Sequence, residues 1–137
     1  TSALQYSNSA ITIYNLDPVL WFNRGVIYFF MKNIEKAAED FNRAIQLDTL
    51  YSQAYLNLGN CFFNLQKYED AKKQYSQLLK IDSTSGDGLW MMARTEEMLG
   101  NYSMGSEFLK KLLVIEPGNK EAIKKEAILR KKIVVVK

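Results

Sequence analysis

Residues recur along most of this chain with a fixed step of 34, and that step restricts the possible folds more than any local motif does. Trp21-Phe22-Asn23-Arg24-Gly25 returns as Tyr55-Leu56-Asn57-Leu58-Gly59 and again as Leu89-Trp90-Met91-Met92-Ala93. Ala37, Ala71 and Gly105 share a column, as do Phe41, Tyr75 and Leu109, and Ala44, Leu78 and Leu112. Three units fit without an insertion: 18–51, 52–85 and 86–119. A unit of this size cannot bury its apolar face alone, so it must stack against its neighbours.

Each unit holds two amphipathic runs. Tyr55, Leu58, Gly59 and Phe62 follow the i, i+3, i+4, i+7 spacing of one helix face, and Ala71, Tyr75, Leu78 and Leu79 follow it again. The spacing predicts helices near 18–31, 35–48, 52–65, 69–82, 86–99 and 103–115. The connection Leu65-Gln66-Lys67-Tyr68 is short, which makes the two helices an antiparallel hairpin. Gly25, Gly59 and Ala93 are placed to admit the partner helix closely, with Ala37 and Ala71 opposite. Seven Gly and two Pro in 137 residues also disfavour an all-β chain broken by tight turns.

On these residues the chain resembles the tetratricopeptide repeat family, whose 34-residue period carries a W-x2-L-G-x2-Y, A-x3-F, P pattern. The second unit has Tyr55, Leu58, Gly59, Phe62, Ala71, Tyr75 and Leu78 in that order, and the resemblance covers about three-quarters of the chain, residues 18–119. Pro117 stands at the closing proline position, where the earlier units have Thr49 and Ser83. Glu96 stands where an aromatic belongs and Gly105 where Ala belongs, which predicts looser packing there or an unusual partner. The implied fold is all-α, a right-handed α-solenoid of helix-turn-helix tetratricopeptide repeats with a C-terminal capping helix. Within a single domain, 1–137, residues 1–17 read as a partial upstream repeat helix and 120–137 as capping helix and tail. The chain starts without Met inside a helical pattern, so an excised piece of a longer protein is expected.

In the family, stacked first helices line a concave surface. The hairpin contact uses positions 4, 7, 8 and 11 of each unit, and at about 100° per residue positions 2, 5, 6, 9, 12 and 13 share the opposite arc. That arc reads Val19, Phe22, Asn23, Val26, Phe29 and Phe30, then Gln53, Leu56, Asn57, Asn60, Phe63 and Asn64, then Asp87, Trp90, Met91, Arg94, Glu97 and Met98. The candidate partner-binding residues are Phe22, Asn23, Val26, Phe30, Gln53, Leu56, Asn57, Asn60, Asn64, Trp90, Met91 and Arg94. Aromatics supply burial and amides supply directed hydrogen bonds, the composition of a peptide or helix site. Asn23 and Asn57, one unit apart, are similar to the asparagine ladder of the O-linked N-acetylglucosamine transferase superhelix, with Met91 interrupting it.

A subset of the family grips the C-terminal carboxylate of Hsp70 and Hsp90. It needs Lys and Asn at positions 5 and 9 of its first repeat, Asn at 6 of its second, and Lys and Arg at 2 and 6 of its third. This chain supplies Phe22, Val26, Asn57, Asp87 and Met91, one match of five, so chaperone tails are not expected partners. A carboxylate without cations loses its charge-assisted bonds.

Composition removes most catalytic readings. His is absent, and with it the usual acid–base group near neutral pH and the commonest metal ligand. The single Cys61 excludes an internal disulfide and a Cys-rich zinc site, and its column reads as a small buried apolar side chain. Glu96 and Glu97 diverge by about 100° on a helix and cannot share a substrate atom. Arg24 reads as one half of a structural ion pair. No glycine-rich phosphate loop or metal-spaced cluster occurs, so neither a cofactor nor a metal is expected.

Net charge is +3, with seven Lys/Arg against two Glu in residues 118–137, a local +5 that leaves −2 for the rest. The mixed Glu121 and Glu126 favour a solvated helix face; nucleic-acid contact through Lys120, Lys124, Lys125, Arg130, Lys131 and Lys132 is the lesser alternative. No run is long enough for a membrane span. The function expected is non-catalytic protein–protein interaction, a cytoplasmic scaffold or adaptor, with a self-associating scaffold as the alternative.

Overall fold

A computed structural model describes residues 2–136, with side chains through residue 133; Thr1, the tail residue Lys137 and the side chains of Val134–Val136 lie outside the described residues. The described residues form eight helices and no strand: α1 (Ser2–Ile13), α2 (Pro18–Phe30), α3 (Ile34–Leu47), α4 (Ser52–Asn64), α5 (Tyr68–Ile81), α6 (Gly86–Met98), α7 (Tyr102–Ile115) and α8 (Lys120–Val136). The six helices expected from the 34-residue spacing occur within about one residue at each end.

Local chemistry fixes the starts. Asp17 sits in extended backbone, accepts from the Val19 amide and is followed by Pro18, whose missing N–H costs nothing in a first turn. Ser85 accepts from the Gly88 amide and Asn119 from the Ala122 amide. The hairpin turns are identical in hydrogen bonding. After α2, Lys32 N–H donates to the Phe29 carbonyl and Asn33 N–H to that of Tyr28; after α4, Gln66 and Lys67 donate to Phe63 and Phe62; after α6, Gly100 and Asn101 donate to Glu97 and Glu96. The pivot of each turn is left-handed: Lys32 at φ 65°, Gln66 at 60° and Gly100 at 81°, three residues spaced by 34. The second kind of turn recurs too, with Tyr14, Asp48, Asp82 and Glu116 each donating back to the carbonyl four residues earlier.

Residues up to Lys67 and residues from Tyr68 form two compact units. In the first, α2 packs on α1 and α3, and α3 on α4. Its core joins Ala37, Phe41, Leu58 and Cys61, with Phe22, Val26, Tyr28, Phe29 and Phe62 packed around them. A Cβ on Gly25 would stand 2.7 Å from the Phe41 ring, so the absent side chain is what lets α3 close on α2. Arg24 donates to both oxygens of Asp40 on α3, at 2.8 and 2.9 Å, and to Asn8 Oδ1 on α1. That contact holds the guanidinium above its ordinary pKa against the opposing effect of burial, with the Asp40 charge adding to it.

In the second unit α6 packs on α5 and α7, and α7 on α8. Its core joins Leu89, Ala93, Leu109, Leu112, Ala122 and Leu129. Gly105 is not loosely packed: a Cβ there would meet Leu129 at 2.9 Å and the Ala93 carbonyl at 3.2 Å, because α8 lays Leu129 over the gap. Glu96, in the column of Tyr28 and Phe62, is fully buried and pairs with Lys72 of α5 at 2.9 Å.

Candidate partner-binding site

Four of the twelve candidate residues meet around one cleft in the first unit. Val26 and Phe30 of α2 and Asn57 and Asn60 of α4 line it together with Phe29 and Phe41, enclosing about 150 Å³. α2 supplies its aromatics because positions 12 and 13 of the unit fall beside position 9 on one helix face. Phe41 reaches the same space from α3, since Gly25 leaves room for its ring. Phe29 and Phe30 meet edge to face, with centroids 6.3 Å apart, yet Phe30 keeps 79% of its surface exposed. No ionised side chain lines the cleft. The arrangement offers an apolar seat bordered by two amides.

Other candidates are placed differently. Phe22 is half-buried, stacked on Tyr51 at 5.0 Å and tilted on Phe41 at 5.5 Å, so it is part of the cleft's support. Burial raises the Tyr51 pKa, with the nearby Asp48 and Asp17 charges adding to the effect. Leu56 keeps only 8% of its surface. Asn23 and Gln53 are exposed, and the Asn64 amide donates back to the Asn60 carbonyl of its own helix. Phe41 is the contributor that column arithmetic assigns wholly to the core; the glycine opposite it is the signal that its ring edge can reach outward.

In the second unit Trp90 packs on the core of α6, α7 and α8, and Arg94 lies 4.0 Å from the Met91 sulfur. Glu97, on the same arc by position, turns to α8 and pairs with Lys125 at 3.1 Å and Lys132 at 3.4 Å. Arg130 pairs with Glu126, which also accepts from Ser106. Three of the six cations named for nucleic-acid contact are thereby spent on α6 and α8 themselves. Cys61 is buried in the first core, and burial pushes its thiol up to about 12.

Among the described residues no group of His, Cys, Asp and Glu could hold a metal ion, and no helix is long and apolar enough to cross a membrane. The family model of the tetratricopeptide repeat matches residues 18–48 and 52–85. Those two segments are tetratricopeptide repeats. No curated protein matches the chain in sequence. Among solved structures it is similar to MamA, at 16% identity and a TM-score of 0.90, covering 94% of this chain and 75% of that one. It is similar to YrrB, described as a TPR protein with an unusual peptide-binding site, at 20% identity and 0.83, covering 93% and 66%. It is also similar to the first TPR of Spaghetti (RPAP3), solved bound to the HSP90 peptide SRMEEVD, at 14% identity and 0.83, covering 86% and 94%. At these identities the likeness is one of fold. The chain's fold is an all-α solenoid of helix-turn-helix repeats.

Proposed function

We propose that this tetratricopeptide chain is a non-catalytic module that takes a short, uncharged segment of another protein in the cleft of Val26, Phe29, Phe30, Phe41, Asn57 and Asn60. The observation that carries the reading is Phe30, a large aromatic left exposed beside an apolar cleft flanked by amides. An aliphatic or aromatic anchor on the segment would cover it, and amides can both donate to and accept from a peptide backbone. The remaining candidate residues, from Phe22 and Asn23 through Gln53, Leu56 and Asn64 to Trp90, Met91 and Arg94, would extend or support that contact. Scaffold or adaptor work in the cytoplasm suits a chain whose one cysteine is buried and outside any disulfide.

Peptide display against the whole chain tests this. Selected peptides should carry an apolar anchor without acidic neighbours, and their affinity should fall at least tenfold in Phe30→Ala and in Asn57→Ala while the melting temperature holds. The HSP90 peptide SRMEEVD should not bind, since Phe22, Val26, Asp87 and Met91 replace the clamp. Selection of acidic peptides, or affinities indifferent to Phe30, would refute the site.

A further inference from the structure

Leu16 and Leu50 stand one step of 34 apart, each the third residue of a four-residue turn that leads into the first helix of a repeat. Both turns close with the same bond: the Asp17 N–H donates to the Tyr14 carbonyl and the Tyr51 N–H to the Asp48 carbonyl, each at 3.2 Å. An aromatic donor then ties each turn to the helix it opens. The Trp21 Nε1–H donates to the Asn15 carbonyl at 2.8 Å, and one step later the Tyr55 hydroxyl donates to the Thr49 carbonyl at 3.0 Å. The residues on either side of each leucine are thus fixed, and Leu16 keeps 70% and Leu50 72% of its surface exposed.

The turn itself does not ask for leucine. Its two later copies close in the same way, the Ser85 N–H donating to the Asp82 carbonyl and the Asn119 N–H to that of Glu116, with Thr84 and Gly118 at the third position. There the aromatic donor is gone as well, since Leu89 and Ile123 occupy its column. Projecting leucine and aromatic brace therefore come and go together. An apolar side chain left in water contributes little to the fold, whereas one carried on a fixed backbone loses little entropy when a partner covers it.

The two tips lie at the same end of the helices: the chain leaves the first turn along α2, reverses at Lys32 and returns along α3 to the second. Tyr14 and Val19, 64% and 47% exposed, extend the apolar ground beside Leu16. Charge decides what fits there. Residues 11–21 and 45–55 contain Asp17 and Asp48 and no Lys or Arg. Each aspartate accepts from one backbone amide, that of Val19 or of Leu50, and neither has an ion-pair partner among the described residues. An anionic membrane surface would meet two like charges here, and a basic protein segment two opposite ones.

We propose that this edge is a second docking surface, which receives a basic amphipathic helix of another protein, with apolar side chains over Leu16 and Leu50 and Lys or Arg at Asp17 and Asp48. Such a helix carries both on one side, apolar residues three, four and seven apart with cations alongside. The surface uses none of the residues that line the proposed peptide cleft and does not depend on that reading.

A labelled helical peptide with Leu at i, i+3, i+4 and i+7 and Lys elsewhere, and its twin with Glu in place of Lys, test it by fluorescence anisotropy against the whole chain. The Leu/Lys peptide should bind saturably, one per chain, and the Leu/Glu twin should not bind. Leu16→Ser and Leu50→Ser should each weaken binding about tenfold, with the melting temperature held because both side chains are exposed. Asp48→Asn, which can still accept from the Leu50 amide, should weaken it too and flatten its salt dependence. Thr84→Ala, in the same column of the second unit, should leave it unchanged. No saturable binding of the Leu/Lys peptide, equal binding of the twin, or indifference to both leucines would overturn the proposal. So would leucine-dependent dimerisation of the chain, or its leucine-dependent binding to vesicles of phosphatidylcholine and phosphatidylserine.

Discussion

The Lys72 ammonium lies 2.9 Å from Glu96 Oε1, and the carboxylate it meets is closed off from solvent while its own chain reaches the surface. Glu96 Oε2 has no hydrogen-bond partner among the described residues. The pair is therefore asymmetric: the acid is held in an apolar column by one cation from the neighbouring helix. Buried ion pairs are weak sources of net stability but costly to break from one side. Lys72→Ala should lower the unfolding free energy by about 3 kcal/mol, the lower end of the range because the lysine is partly solvated. Adding Glu96→Phe, the residue type of its column, should recover most of the loss. Urea unfolding of the two variants checks the order.

The same pair sets a pH response. Contact with Glu96 raises the Lys72 pKa above its ordinary value, against the opposing effect of burial. A group whose pKa is higher folded than unfolded contributes stability fully below its unfolded pKa and loses it as pH rises through the folded one. Melting temperature should therefore fall above the ordinary lysine range, and fall less steeply in the Lys72→Ala, Glu96→Phe double variant. Parallel alkaline melting profiles would contradict it.

Glu96 shows where sequence reading reaches its limit. Its column marks it as a departure, because Tyr28 and Phe62 establish what belongs there. Its partner is invisible: Lys72 shares a column with Ala38 and Ser106, and nothing in that series sets a lysine apart. Leu129 over Gly105 is hidden for the same reason, since the filling comes from a helix whose own columns depart from the pattern. The core columns of Ala37, Phe41 and Ala44 are legible because small and large residues alternate there at a fixed step. The face arithmetic behind the cleft places Phe22 and Phe30 together, but Tyr51 stacks on Phe22 from the connection before α4, which no helical angle describes. Only contact across elements separates the supporting ring from the exposed one.

Backbone strain in the hairpin turns gives a third prediction. Lys32 and Gln66 occupy the left-handed region that Gly100 occupies freely. A side chain there costs roughly 1–2 kcal/mol, partly offset in a Gly replacement by the larger unfolded-state entropy. Gln66→Gly should raise the unfolding free energy by about 0.5–1 kcal/mol and Gly100→Ala should lower it by about 1 kcal/mol. Nothing lies within 4 Å of a Cβ at Gly100, so the loss there would report backbone conformation alone. Equal stability of the Gly100→Ala and parent chains in urea would sink the argument.

Gly25 tests the opposite case, where space and not conformation decides. Ala is favoured over Gly inside a helix by roughly 1 kcal/mol, so Gly25→Ala gains on propensity. The added carbon would stand 2.7 Å from Cε1 and 2.9 Å from Cδ1 of Phe41, a ring that is itself buried and cannot swing away. Overpacking of this kind costs about 1–3 kcal/mol, which outweighs the propensity gain. A net loss of stability is expected, and Phe41→Leu in the same chain should relieve it, because the shorter side chain vacates the contact. Thermal unfolding of Gly25→Ala, Phe41→Leu and the double variant measures the coupling between the two positions. Strictly additive losses would mean that α3 does not close on α2 through this glycine.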